Sequence, residues 1–144
     1  MNAEVLRGIT VRPLRNGETE VVQAVFDRLG PRSRRLRFGG AKNMLGPAEL
    51  EQLARVDGTH HVLVAWYAGR PVGIARLVRE GGSAEVAVEV ADAWQGRRVG
   101  TLLMERLAED ARAAGIASLH AVVGTDNTAS RALMRRAAVQ VSTA

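Results

Sequence analysis

Apolar and polar positions along the chain follow two periods. Alternation marks residues 9–14 and 84–90 as strands, and the apolar-rich runs 61–67 and 71–78 read as two more. Residues 18–29 switch to helical spacing: Val21, Val22, Val25, Phe26 and Leu29 share one face, and Gly30-Pro31 ends the run. Further helices are predicted over 47–56, opened by Pro47, over 99–114, closed by Gly115, and over 127–137, where Asp126 or Asn127 can cap. Residues 118–123 read as a fifth strand and 139–141 as a short last one. Ala68-Gly69-Arg70 and Gly81-Gly82 are hairpin-like connections. Residues 33–42 read as a loop, dense in arginine and anchored by Leu36 and Phe38. Two readings of it stay open: a solvated loop, or one facing a substrate or cofactor. The order β α α β β β α β α, with a short terminal β, predicts the α/β (α+β) class. It implies a mixed, mostly antiparallel sheet flanked by helices, in a single domain over residues 1–144.

Composition narrows the class. A chain of 144 residues that is 47% apolar can bury a core without staples. It has no cysteine, which excludes disulfides, thiolate metal sites and any acyl-cysteine intermediate. Residues 1–10 hold no apolar leader and no 18-residue apolar run occurs, so a cytoplasmic protein without a membrane partner is expected. The net charge of +5 admits a nucleic-acid surface. However, every basic residue but Lys42 is arginine and they are spread through the chain. Aromatics for base stacking are few, so nucleic acid is not the expected partner. His60, His61 and His120 lack metal-site spacing, and no metal is expected.

The chemical signal lies at Trp94-Gln95-Gly96-Arg97-Arg98-Val99-Gly100-Thr101, between a predicted strand and a predicted helix. N–H groups at a helix start have no helical acceptor and point at whatever sits there. Glycine lets backbone approach closely, and arginine adds charge and forked donors. This arrangement grips a phosphate.

With these elements around it, the sequence resembles the GNAT (GCN5-related N-acetyltransferase) superfamily, whose pattern is Gln/Arg-x-x-Gly-x-Gly/Ala at this place. Gln95 and Gly100 match, while Arg98 stands where the first Gly is usual. Asp126-Asn127 before the last helix is similar to the family's second cofactor motif. The run from Ser33 to Phe38, Glu49-Leu50, Val56-Asp57, Val64-Ala65 and Gly73-Ile74-Ala75-Arg76 resemble the branch of bacterial protein-lysine acetyltransferases. The resemblance implies a GNAT-like sheet and transfer of an acetyl group from acetyl-CoA to an amine, a protein lysine in that branch. Ala138-Val139 stands where Gly-Phe is usual, so the C-terminal end of the sheet is expected to be shortened. The acceptor site is then open, or completed by the sheet edge of a homodimer.

The resemblance also assigns roles. An alkyl ammonium must lose a proton before it attacks, so a base is needed. Glu85, in the family's Ala-Glu-hydrophobic-Ala context, is the expected catalytic base. Glu89 shares its face, about 13 Å along the strand, too far to share a proton. Two readings of it stay open: a contact with the acceptor amine or the pantetheine region, or a solvated or paired residue beside the β-bulge usual in the family. Val88 and Val90 offer backbone to the pantetheine arm. Gln95, Gly96, Arg97, Arg98, Val99, Gly100 and Thr101 cradle the pyrophosphate. Asn127 contacts the CoA arm, and Ser130 the adenosine phosphate end. The family's thiolate-protonating Tyr is replaced here by Met134. A thiolate with pKa near 8.5 can still leave unaided. Direct attack in a ternary complex follows. The alternative is a non-catalytic acyl-CoA-binding protein, which would share the phosphate motif.

Overall fold

The computed structural model describes residues 7–40 and 42–143. Residues 1–6, part of the stretch without an apolar leader, lie outside the described residues. So do residue 41, in the arginine-dense stretch, and residue 144.

The elements run β1 (Ile9–Pro13), α1 (Thr19–Asp27), α2 (Pro31–Phe38), α3 (Pro47–Leu53), β2 (His60–Tyr67), β3 (Arg70–Glu80), β4 (Ser83–Val90), a 3₁₀ turn (Asp92–Trp94), α4 (Val99–Ala113), β5 (Ser118–Val122), α5 (Thr128–Arg136) and β6 (Gln140–Ser142). The six strands form one sheet in chain order. β1 to β4 are antiparallel, while β4–β5 and β5–β6 are parallel. The parallel pairs are those joined through α4 and α5, because a parallel return needs a crossover.

Each face of the sheet has its own core. On the front, Val62, Val64 and Ile74 pack with Val21, Val22, Val25 and Phe26 of α1 and with Leu14, Leu29, Leu45 and Ala54. On the back, Leu63, Ala75, Leu77, Ala84 and Val86 pack with Leu103, Met104 and Leu107 of α4 and Met134 of α5. Neighbouring strand residues divide between the faces, as a period of two requires. Gly73 lets α4 settle onto β3: a Cβ there would meet Leu103 Cδ1 at 3.1 Å and the Glu89 carbonyl oxygen at 3.3 Å.

Three expectations need correction. Residues 31–38 are a helix, not a loop. Pro31 supplies the first helical φ, arginine is a good helix former, and Gly39 ends the helix at φ +80°. Only Leu36 and Phe38 are apolar, so no stripe announced it. The β3–β4 register runs unbroken from Gly73↔Val90 to Glu80↔Ser83, without a bulge beside Glu89. The last strand starts at Gln140, after Val139, which is buried in the back core.

Candidate active site

β4 and β5 pair only over Ser83–Glu85 and Ser118–His120. Beyond that point β5 pairs with β6 and leaves β4. From Val86 onward, the β5-facing backbone of β4 therefore has no ladder partner. The fork opens a cavity of about 620 Å³, walled by β4 from Val86 to Val90, by α2, and by the N-terminal ends of α4 and α5.

The start of α4 is built to hold an anion. Arg98 stands at the N-cap in the left-handed region, φ 66°, and no side chain caps the helix. The Leu102 N–H takes the Arg98 carbonyl at 3.0 Å. The N–H groups of Val99, Gly100 and Thr101 precede the first helical bond, and all three residues line the cavity. Val99 gives backbone alone, since its side chain is buried in the back core. Gly100 brings α5 close: a Cβ would meet Leu133 Cδ2 at 3.1 Å. Two helix starts thus converge on one cavity. Asn127 caps α5 by accepting from the Ser130 N–H at 3.3 Å, and both residues line the cavity.

Other residues singled out from the sequence fall differently. Gln95 lines the cavity, yet its amide turns inward. It lies 2.9 Å from the Val90 carbonyl, 3.1 Å from Ser33 Oγ and 3.3 Å from Asp92 Oδ1. Asp92 in turn accepts from the Gly30 N–H at 3.1 Å and the Ser33 hydroxyl at 2.6 Å. This network fixes the start of α2 to the turn before α4. Gly96 lines the wall at φ 75°. Arg97 is not brought to the cavity. It lies over the Trp94 ring, 5.0 Å from its centroid, and Trp94 packs on Tyr67.

Glu85 is exposed on the front of β4, opposite His120 in the register, where the strands begin to part. It lies outside the cavity wall. Ala87, two residues on and on the same face, is in the wall. Glu89 is buried in the wall. Arg76 Nη1 lies 3.1 Å from its Oε1 and Arg37 Nε 2.5 Å from its Oε2. Burial alone would push this carboxyl up. The charges of Arg37 and Arg76 outweigh it and hold Glu89 below the usual carboxylate range. Glu89 is thus a fixed anion rather than a proton acceptor at neutral pH.

Sequence reasoning did not single out Arg37, Arg76, Ser33 or Asp92 one by one. The signal available was the arginine-dense stretch itself, whose ligand-facing reading fits a helix that lines the cavity. Arg32, Arg37, Arg98 and Arg136 line it against only Glu89 and Asp126, so its field favours anions. Among the described residues no group of three His, Asp or Glu is placed to hold a metal ion. No helix among them is long and apolar enough to cross a membrane.

Residues 32–138 match the acetyltransferase (GNAT) family. An acetyltransferase of Pseudomonas aeruginosa is 34% identical over 134 residues, covering 88% of this chain and 72% of that protein. The acetyltransferase Pat of Mycolicibacterium smegmatis is 41% identical over 95 residues, 62% of this chain and 28% of Pat. The crystal structure of the GNAT domain of S. lividans PAT superposes with a TM-score of 0.82 at 27% identity, covering 88% of this chain and 78% of that one.

Proposed function

The chain belongs to the acetyltransferase (GNAT) family of acyltransferases, and from that premise we propose that it binds acetyl-CoA in the β4–β5 fork and transfers the acetyl group directly to an amine. The observation that carries this reading is the uncapped start of α4, with Arg98 beside it, opening into a cation-lined cavity at the point where the strands part. The N–H groups of Val99, Gly100 and Thr101, the backbone at Gly96 and the Arg98 guanidinium hold the pyrophosphate. Val88 and Val90 offer backbone to the pantetheine arm, and Asn127 and Ser130 meet the nucleotide end. Gln95 acts by shaping the turn, through its bonds to Val90, Ser33 and Asp92.

Glu85 takes the proton of the acceptor ammonium, directly or through one water. The amine nitrogen then attacks the thioester carbonyl, the C–S bond breaks, and the CoA thiolate leaves. The amine nitrogen gives up its second proton as the intermediate collapses, and that proton passes through water to the thiolate, since Met134 is buried in place of the family's phenol. The acceptor we favour is a protein lysine. The branch resemblance supports it, as does the open front of β5, where Val122 is 51% exposed. Among the described residues β6 is the outer strand of the sheet, and pairing of a second copy of the chain along it is part of this proposal.

The test is CoA release from acetyl-CoA with lysine peptides, small amines and aminoglycosides, comparing the parent with Glu85→Gln. Expected is a kcat loss of about 10²- to 10⁴-fold with cofactor affinity kept. An unchanged kcat removes Glu85 from the mechanism. Tight acetyl-CoA binding without release on any acceptor replaces the transferase by a non-catalytic acyl-CoA-binding protein.

A further inference from the structure

The α2 side of the cavity holds charge that a phosphate grip leaves unused. Arg37 and Arg76 flank the single carboxylate of Glu89, so the cluster carries one unmatched positive charge away from bulk water. Arg76 is engaged: it donates to Glu89 at 3.1 Å and to the Leu53 carbonyl at 3.2 Å. It does not line the cavity. Arg37 lines it and is not engaged in the same way.

The Arg37 Nε is buried against Glu89 but is not aligned to donate to it, which makes the contact a charge pairing rather than a hydrogen bond. Its Nη atoms have no hydrogen-bond partner among the described residues. The side chain keeps 21% of its surface exposed although Nε is buried, so the open part lies elsewhere on the side chain. The guanidinium carbon stands 4.9 Å from the Phe38 ring centroid, which limits its swing. A residue serving only to tie α2 to the sheet would spend its donors on the sheet. Arg37 instead presents unpaired, charged donors to a cavity.

Position separates this group from the phosphates. Ser33, one helical turn earlier on α2, is bonded to Asp92 and Gln95 at the phosphate turn. Arg37 lies about 6 Å further along the helix, beside Glu89. The Glu89 side chain leaves β4 toward α2, while those of Val88 and Val90 pack against the back core of α4. A cofactor arm lying along Val88 and Val90 therefore has Arg37 across the strand, on the face of β4 that also carries Glu85.

We propose that Arg37 is a specificity residue that binds a carboxylate carried next to the acceptor amine, with Glu89 fixing the guanidinium in place. The inference rests on acetyl-CoA occupying this cavity. The carboxylate belongs either to a free amino acid or to an acidic residue beside a lysine. Both present the same planar anion to the same fork of donors.

The experiment uses two matched acceptor pairs with acetyl-CoA: alanine against alaninamide, and a lysine peptide with Asp beside the lysine against the same peptide with Asn. CoA release is followed for the parent, Arg37→Gln and Arg37→Lys, with acetyl-CoA affinity measured by calorimetry and folding by thermal melts. Expected is that the parent favours the carboxylate member of one pair. Arg37→Gln should lower kcat/KM on that member by about 10- to 100-fold, mainly through KM. It should change kcat/KM on the neutral member by less than about threefold, and Arg37→Lys should recover part of the loss. The pair that responds names the source of the carboxylate. No preference in either pair overturns the proposal. So does an equal loss on both members, which marks Arg37 as structural. If the parent binds acetyl-CoA and turns over, either result sinks this inference alone. If it does not bind acetyl-CoA, the transferase reading fails and takes this one with it.

Discussion

Arg98→Gly should make the protein more stable and its grip on acetyl-CoA weaker. Arg98 occupies φ 66°, ψ 14° at the N-cap of α4. A Cβ in that left-handed region costs about 1–2 kcal/mol. Glycine removes the cost but gains unfolded-state freedom worth about 0.4–1 kcal/mol. The net is a stabilisation of about 0.7 kcal/mol. Relief of repulsion from Arg32, Arg37 and Arg136, which line the same cavity, acts in the same direction. A 144-residue chain has an unfolding entropy of about 0.3 kcal/mol/K, so the melting temperature should rise by roughly 2–3 °C without ligand. The side chain, by contrast, lies in the cavity wall beside the free N–H groups of α4. One charge-assisted contact to a pyrophosphate is worth about 1.5–3 kcal/mol, so acetyl-CoA should bind about 10- to 100-fold more weakly. Differential scanning calorimetry reads the first quantity and isothermal titration the second. A lower melting temperature would refute the strain argument. Unchanged or tighter binding would mean that Arg98 is a tolerated departure from glycine, with the backbone alone holding the phosphates.

The two halves of the site differed in how far the sequence exposed them. The end at the start of α4 was legible because strand, turn and helix are consecutive. Alternation over 84–90, turn residues over 95–98 and a stripe from Val99 to Ala111 specify it locally. The α2 end was not, because its parts meet only through the fold. Arg37, Arg76 and Glu89 come from α2, β3 and β4. Ser33 and Asp92 are 59 residues apart when they hydrogen-bond. The same tertiary logic bonds the Gln95 amide to Val90, Ser33 and Asp92 at the turn, and pairs Glu89 with two arginines, the paired alternative for that residue. Helix α2 was missed because it has no apolar stripe. Its stability comes from caps and from arginine side chains reaching the Phe26 carbonyl, the Asn43 carbonyl and Glu89. Periodicity reports burial, and α2 has no buried residue to report.

Gly73→Ala should cost about 1–3 kcal/mol in urea unfolding. The new methyl would meet Leu103, Val99 and the Glu89 carbonyl within 3.1–3.3 Å, and an unchanged midpoint would show that α4 can lift at no cost. Glu89→Gln should cost more, about 3–5 kcal/mol, because it leaves two arginines without their carboxylate, one of them deeply buried. The same carboxylate sets a pH dependence whose sign is fixed. Its folded value lies below the roughly 4.3 of an unfolded glutamate, so on acidification the unfolded chain takes the proton first. The stability from Glu89 is therefore complete above about pH 5 and is lost as pH falls through the lower folded value. The parent's melting temperature should drop more steeply below pH 5 than that of Glu89→Gln. Parallel acid limbs would show that this carboxylate is not held down by its arginines, and that the anchor of Arg37 is weaker than its geometry implies.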